Sequence, residues 1–270
     1  MPAHISIPGR AHRADETRTI HRALPEEVPV ALVFNGTTQA VMMATPDDLA
    51  DFAHGFALTE GIVSDPAQIE GFEIVEHADG IEARFWLRGD RAAALSERRR
   101  GMAGPVGCGL CGIDSLQQAL RAVPGVAYGL RLSVAEMSGA TEALRDHQGL
   151  HDLTRATHAA GFLVPGRGVT LAREDVGRHN ALDKLIGAVW RRGRDPATGA
   201  AVMTSRLSVE LVQKCAFAGI PVLIAVSAPT GAAVRLADHA GITLAAFARG
   251  GGFELYSHPH RISQEAAHVA

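Results

Sequence analysis

The run Val222-Leu-Ile-Ala-Val226 is apolar at every position and lies between two amphipathic stretches, Ser208 to Ala218 and Thr230 to Ala240. A strand without alternation must be covered on both faces, the condition met inside a parallel, helix-flanked sheet. The neighbouring pattern extends this reading. Strands are predicted near Gly161 to Val164, Gly168 to Ala172, Ala200 to Thr204 and Ile242 to Ala248, with a helix over Arg178 to Arg191. Leu182, Leu185, Ile186, Val189 and Trp190 follow the i, i+3, i+4, i+7, i+8 spacing of one buried helix face. Alternation of this kind with short connections predicts a layered α/β domain over residues 105–270.

Upstream the pattern changes. Val28 to Phe34 and Thr38 to Ala44 flank Asn35-Gly36, a dipeptide that tolerates positive φ at both turn positions, so a hairpin is expected. A helix follows, with Thr45 as N-cap, Pro46 at the first position, an apolar stripe of Leu49, Phe52, Ala53 and Phe56, and Gly61 as its end. A second hairpin, Phe72 to Glu76 and Ile81 to Leu87, turns at Asp79-Gly80. Together these predict a smaller α+β subdomain over residues 28–104. Residues 1–27 hold four arginines and three histidines but few large apolar groups, so a mobile N-terminal tail is expected.

The 270 residues are 47% hydrophobic and 20% charged, an ordinary globular balance. A net charge of -3 provides no general field toward nucleic acid or an anionic membrane, so neither is expected as a partner. The N-terminus lacks the apolar core of a signal peptide, and no run of roughly 18 apolar residues is present to span a bilayer. A cytoplasmic location is therefore expected. In a reducing compartment a lone C-x-x-C is more often catalytic, metal-binding or sulfur-carrying than a structural disulfide.

That pair is Cys108 and Cys111, in Pro105-Val-Gly-Cys-Gly-Leu-Cys-Gly-Ile-Asp-Ser-Leu116. A working cysteine must be a thiolate, with a pKa below its usual value of about 8.5. Helical spacing over Ile113 to Arg121 would direct a positive dipole end at the pair, and Arg98-Arg99-Arg100 upstream would add positive potential. Glycines at 101, 104, 107, 109 and 112 would let the loop swing. Other readings stay open: a half zinc site completed by His151, His158 or His179 or by a second subunit, and a thioredoxin-type redox pair. A zinc deaminase site is excluded, because its H-x-E is absent and Gly107 replaces the proline of P-C-x-x-C. Cys215, on an amphipathic helix, reads as a small buried hydrophobe.

A second constellation, Arg173-Glu-Asp-Val-Gly-Arg-His-Asn-Ala-Leu-Asp-Lys-Leu-Ile-Gly187, puts two carboxylates at a strand end and Arg178, His179 and Asn180 at a helix start, an anion-binding geometry. The plainer account has Asp175 capping the helix, His179 and Asp183 pairing at i,i+4, and Lys184 pointing to water. Thr204-Ser-Arg206 and Ser227-Ala-Pro-Thr230 fall at predicted strand C-termini, where α/β sheets bind ligands.

With Cys-Gly-Leu-Cys-Gly112, the run Glu174 to Lys184 resembles the FdhD family of sulfur carriers needed for formate dehydrogenase activity. His158-Ala-Ala, Ser208 to Ala228 and Phe247 to Ile262 agree, so the resemblance covers roughly residues 28–262. It implies a mixed sheet similar to cytidine deaminase and a homodimer. It further implies that Cys108 carries a persulfide received from a cysteine desulfurase, with Cys111 as its companion. The acceptor would be the molybdenum bis(molybdopterin guanine dinucleotide) cofactor, or its tungsten analogue, of formate dehydrogenase. The family's cofactor-contacting loop matches Phe247, Ala248, Arg249, Gly250, Gly251 and Gly252. A glycine run lets amides approach a pyrophosphate, and an arginine can pair with phosphate oxygens, although the same run is also compatible with a simple turn. The alternative is a cofactor-binding chaperone whose cysteines only coordinate metal or support structure.

Overall fold

A computed structural model describes residues 1–14, 16–89, 91 and 122–263. Cys108, Cys111, the arginine triplet at 98–100 and the helix expected over 113–121 lie outside the described residues.

The chain starts with a ribbon, β1 (His4–Arg13) paired antiparallel with β2 (Glu16–Pro25). Residues 1–27 were expected to lack regular structure, and here the structure differs. The compositional argument still applies to burial, since almost every ribbon side chain is exposed or only half-buried. A four-stranded sheet follows, in the order β4-β3-β6-β5, from β3 (Val28–Phe34), β4 (Thr37–Ala44), β5 (Ile69–His77) and β6 (Gly80–Leu87). Asn35 and Gly36 turn β3 into β4 with φ of 48° and 74°, the doubly left-handed turn that the dipeptide predicts.

Helix α1 (Leu49–Thr59) buries Phe52 and Phe56 against Val30, Leu32, Phe34 and Phe85 of this sheet. It starts later than expected. Asp48, in the left-handed region, is its N-cap, while the Thr45 hydroxyl accepts instead from the Val176 amide at 3.2 Å. A distant strand end competes for the capping group and wins it.

The main sheet has six strands in the order β13-β12-β11-β10-β8-β9. They are β8 (His158–Val164), β9 (Gly168–Asp175), β10 (Ala200–Met203), β11 (Val222–Ala225), β12 (Thr243–Arg249) and β13 (Gly252–Ser257). β10, β11 and β12 run parallel; β8 is antiparallel to β10 and to β9, and β13 is antiparallel to β12. The sheet is therefore mixed, as expected. Helices α2 (Val134–Ser138), α3 (Ala140–Arg145) and α4 (Gly149–Thr154) precede it; α5 (Arg178–Arg191), α6 (Val209–Ala218) and α7 (Gly231–Ala240) connect its strands. Alternate residues separate the two faces. Ala201, Met203, Leu223 and Leu244 join the cluster of α5 and α6, whereas Ala200, Val202, Val222 and Ile224 join Met137, Ala140 and Leu144. A short parallel pair, β7 (Leu132–Ser133) with β14 (Ile262–Ser263), ties the last described strand back to the start of α2.

The two sheets are joined through α1 and α5, which cross at glycines. A Cβ on Gly55 would lie 1.8 Å from the Asp183 carbonyl oxygen, and one on Gly187 1.8 Å from that of Asp51. Buried ion pairs surround the crossing: Arg173 to Asp51 at 2.6 Å, Lys214 to Asp183 at 2.8 Å and Lys184 to Asp175 at 2.8 Å. No described helix is long and apolar enough to cross a membrane.

Candidate functional site

Because β9 to β12 share one direction, their C-termini gather at one edge of the sheet, together with the start of antiparallel β8. That edge holds His158, Asp175, the first turn of α5, residues 204–206 and 227–230, and the β12–β13 turn. Parallel α/β sheets present ligand sites at such an edge because the helix N-termini that follow direct amides there.

The polar groups here divide into those committed to structure and those left open. Glu174 belongs to the first set: its carboxylate accepts from the amides of Leu150 and His151 at 2.7 and 2.8 Å and from the Thr157 hydroxyl at 3.0 Å, so it caps the start of α4. Asp175 is fully buried and accepts from the Thr45 and Gly177 amides at 3.0 and 2.8 Å and from Asn180 Nδ2 at 3.0 Å, beside its ion pair with Lys184. The plainer sequence account is therefore corrected. Gly177, not Asp175, is the N-cap of α5, and Lys184 is buried with no exposure to water. Asp183 pairs with Lys214 and accepts from the Thr59 hydroxyl at 2.8 Å, not with His179. Thr59 of α1 and Lys214 of α6 outcompete the local i,i+4 contact of Asp183 with His179, and Lys184 is drawn inward by Asp175 and the Thr45 carbonyl.

Arg178 and His179 form the open set. Nε of Arg178 and Nε2 of His179 are buried without a hydrogen-bond partner among the described residues. Burial, then the positive charges of Arg178 and Lys214, lower the His179 pKa to about 4, so its ring is neutral near pH 7. His158 is shifted down by burial and by Arg178 and His151. For Glu210 burial is the largest influence and acts upward, but the Ser208 hydroxyl, its own amide, His179 and Arg178 bring it below the usual carboxylate range. Among the described residues α5 has no side-chain cap, so the positive end of its dipole adds to the charge of Arg178. Chemically, the edge can hold an anion beside a neutral imidazole. Glu210, Glu60 and Lys214 near His179 were missed in the sequence; the i,i+4 spacing of Glu210 and Lys214 was the available signal.

Residues 204–206 and 227–230 are at the edge but serve mainly to fix it. The Thr204 hydroxyl accepts from the Ala159 amide at 2.9 Å, Thr230 caps α7 at the Ala233 amide at 3.2 Å, and Leu207 bridges Pro229. Arg206 is exposed. Phe247 to Arg249 end β12, Gly250 and Gly251 make the turn, and Gly252 starts β13. Phe247 has φ of 50°, and Gly250 and Gly251 have 61° and 77°, so glycine suits the tip. Ala248 is buried, its carbonyl accepting from the Thr141 hydroxyl at 2.6 Å, while Arg249, Gly250, Gly251 and Gly252 are exposed. The Gly250 amide already donates to Glu142 Oε1 at 3.2 Å. Arg249 is thus exposed at the tip, Gly252 pairs with it in register, and the Gly250 amide is held by the Glu142 carboxylate. His151, whose Nδ1 lies 3.1 Å from the Thr157 carbonyl, does not gather with His158 and His179 into a metal-holding group among the described residues. Cys215 is fully buried, and burial raises its thiol to about 12.

Fold and edge together define a mixed α/β protein that leaves Arg178 and His179 with unpartnered buried nitrogens at its strand ends. The chain belongs to the FdhD/NarQ family, whose sequence model matches residues 25–263. It is 52% identical over 254 residues to a sulfur carrier protein FdhD from Agrobacterium fabrum, covering 93% of both chains. It is 46% identical to that of Cupriavidus necator over 98% of this chain and 92% of the relative. A solved structure from Desulfotalea psychrophila, provisionally assigned as a formate dehydrogenase accessory protein, shares the fold with a TM-score of 0.75 at 24% identity, covering 97% of this chain and 100% of that one.

Proposed function

We propose that this protein is a cytoplasmic, homodimeric sulfur carrier that supports formate dehydrogenase. The observation that carries the reading is the Cys108-x-x-Cys111 pair in a chain 52% identical, over 93% of its length, to a protein named a sulfur carrier. The Cys108 thiolate attacks the outer sulfur of a cysteine desulfurase persulfide. The desulfurase S–S bond breaks, its cysteine leaves as thiolate, and Cys108 holds the persulfide. Attack by the Cys111 thiolate on the Cys108 sulfur then releases hydrosulfide, and a Cys108–Cys111 disulfide keeps the oxidising equivalents until a cellular dithiol reduces it.

The acceptor in this reading is the molybdenum or tungsten bis(guanine dinucleotide) cofactor, taken as cargo before it enters formate dehydrogenase. Arg249 and its glycine turn would hold its phosphates, and Arg178 supplies further positive charge from α5. The main sheet would then be a cytidine-deaminase-like frame lacking the deaminase's zinc-binding signature.

The test is to incubate the purified protein with a cysteine desulfurase and cysteine, and read intact and peptide masses. A gain of about 32 Da on the Cys108 peptide, absent in Cys108→Ala, is expected. Because Cys215 is a buried, protonated thiol, it contributes no background. No gain with a competent desulfurase would point instead to a cofactor-binding chaperone.

A further inference from the structure

The β1–β2 ribbon has ten residue pairs and, among the described residues, joins no larger sheet. An isolated two-stranded ribbon is marginally stable in water, so strands this long need a cover. Its register places Ile5 opposite Leu24, Ile7 opposite Arg22 and Gly9 opposite Ile20, so these residues share one face. Ile20 is half-buried, and β2 rests against α4. Toward the base the face is uncovered: Ile5, Ile7 and Leu24 are 36%, 40% and 42% exposed.

A second apolar surface is also open. α1 covers one face of the N-terminal sheet, while Val41, Met43 and Trp86, 60%, 48% and 44% exposed, point from the other. A groove of about 300 Å³ runs there, lined by Val33, Thr38, Glu82, Arg84 and Trp86. The two surfaces complement each other in charge. From residue 4 to 25 the sequence has Arg10, Arg13, Arg18 and Arg22 against Asp15 and Glu16. On the sheet Glu73 and Glu82 both engage the single Arg84, at 3.2 and 2.6 Å, leaving an acidic excess.

We infer that the ribbon is an exchange arm: its Ile5–Ile7–Leu24 face docks on the open face of the N-terminal sheet of a second copy, around Trp86. In a two-fold dimer both arms are used, so both apolar faces of each chain are covered by one self-complementary contact. In its own chain the ribbon meets this sheet through the Met1 ammonium at 3.7 Å from Glu76, at the ribbon's base. The inference rests on the dimer proposed above and adds the surfaces that form it.

The test uses the full chain. Sedimentation should give a dimer, and Ile5→Asp/Ile7→Asp and Trp86→Asp should each raise the dimer dissociation constant at least about tenfold. Far-UV circular dichroism and persulfide loading of Cys108 should stay unchanged. A benzophenone amino acid at position 7 of an isotopically light chain should crosslink to the Trp86 peptide of a heavy chain. A dimer unaffected by either variant, or crosslinks confined to one chain, would overturn the arm while leaving the dimer. A chain that stays monomeric would overturn both, without touching the sulfur-carrier reading.

Discussion

Lys184 is fully buried, with Nζ 2.8 Å from Asp175 Oδ2 and 2.9 Å from the Thr45 carbonyl oxygen. Removing one member of such a pair leaves an uncompensated buried charge. Lys184→Met should therefore cost about 3 to 5 kcal/mol, with much of the loss recovered in Asp175→Asn/Lys184→Met, as read by urea unfolding. His179 makes stability depend on pH. Its folded pKa is about 4 against the ordinary 6.5, so folding favours the neutral ring. That contribution is complete above 6.5, declines as pH falls because the unfolded chain takes the proton first, and levels off near 4. The total is about 3 kcal/mol. An NMR titration of the His179 ring should show a midpoint near 4, and a midpoint near 6.5 would contradict the burial argument. Here the sequence was partly legible. Arg178 and His179 could be named as candidates, but not that the carboxylates beside them are occupied, because their partners lie from 17 positions away, as for Glu174 and Thr157, to 130, as for Asp175 and Thr45.

At the level of elements, the crossing of α1 and α5 depends on Gly55 and Gly187. In an ordinary helix Gly→Ala stabilises by about 1 kcal/mol. Here a methyl would meet backbone of the other helix, which has no alternative rotamer. Gly55→Ala and Gly187→Ala should each destabilise by at least about 3 kcal/mol, and a raised melting temperature in either would show that the helices do not touch. Strand and helix positions were largely legible, since periodicity is local: α5 has the bounds that its apolar spacing predicts. The start of α1 was not, because Thr45 is a good cap by sequence but bonds to Val176 in space. Nor were α2 to α4, whose short helices of five or six residues carry too few turns for a pattern.

For the whole molecule, the charged contacts between the sheets bear on cooperativity. Asp51 with Arg173, Thr45 with Asp175 and Thr59 with Asp183 each link the N-terminal unit to the main sheet through buried groups. Separating the units would break those pairs and open the close α1–α5 crossing to water, so both should unfold together. Both tryptophans sense the N-terminal unit, Trp86 from β6 and Trp190 from α5, where it packs against that unit's core. Tryptophan fluorescence and far-UV circular dichroism, which follows the whole chain, should give coincident urea transitions, whereas two midpoints would mean that the units are independent. By itself the sequence determined the layered α/β class, most of the elements outside the N-terminal ribbon and α2 to α4, the turn chemistry and the cysteine pair, because each depends on residues a few positions apart. Only the tertiary structure decided which charged groups are spent on joining the sheets and which remain open at the strand ends. A carboxylate's role is set by what lies within about 3 Å of it, and those neighbours come from distant parts of the chain.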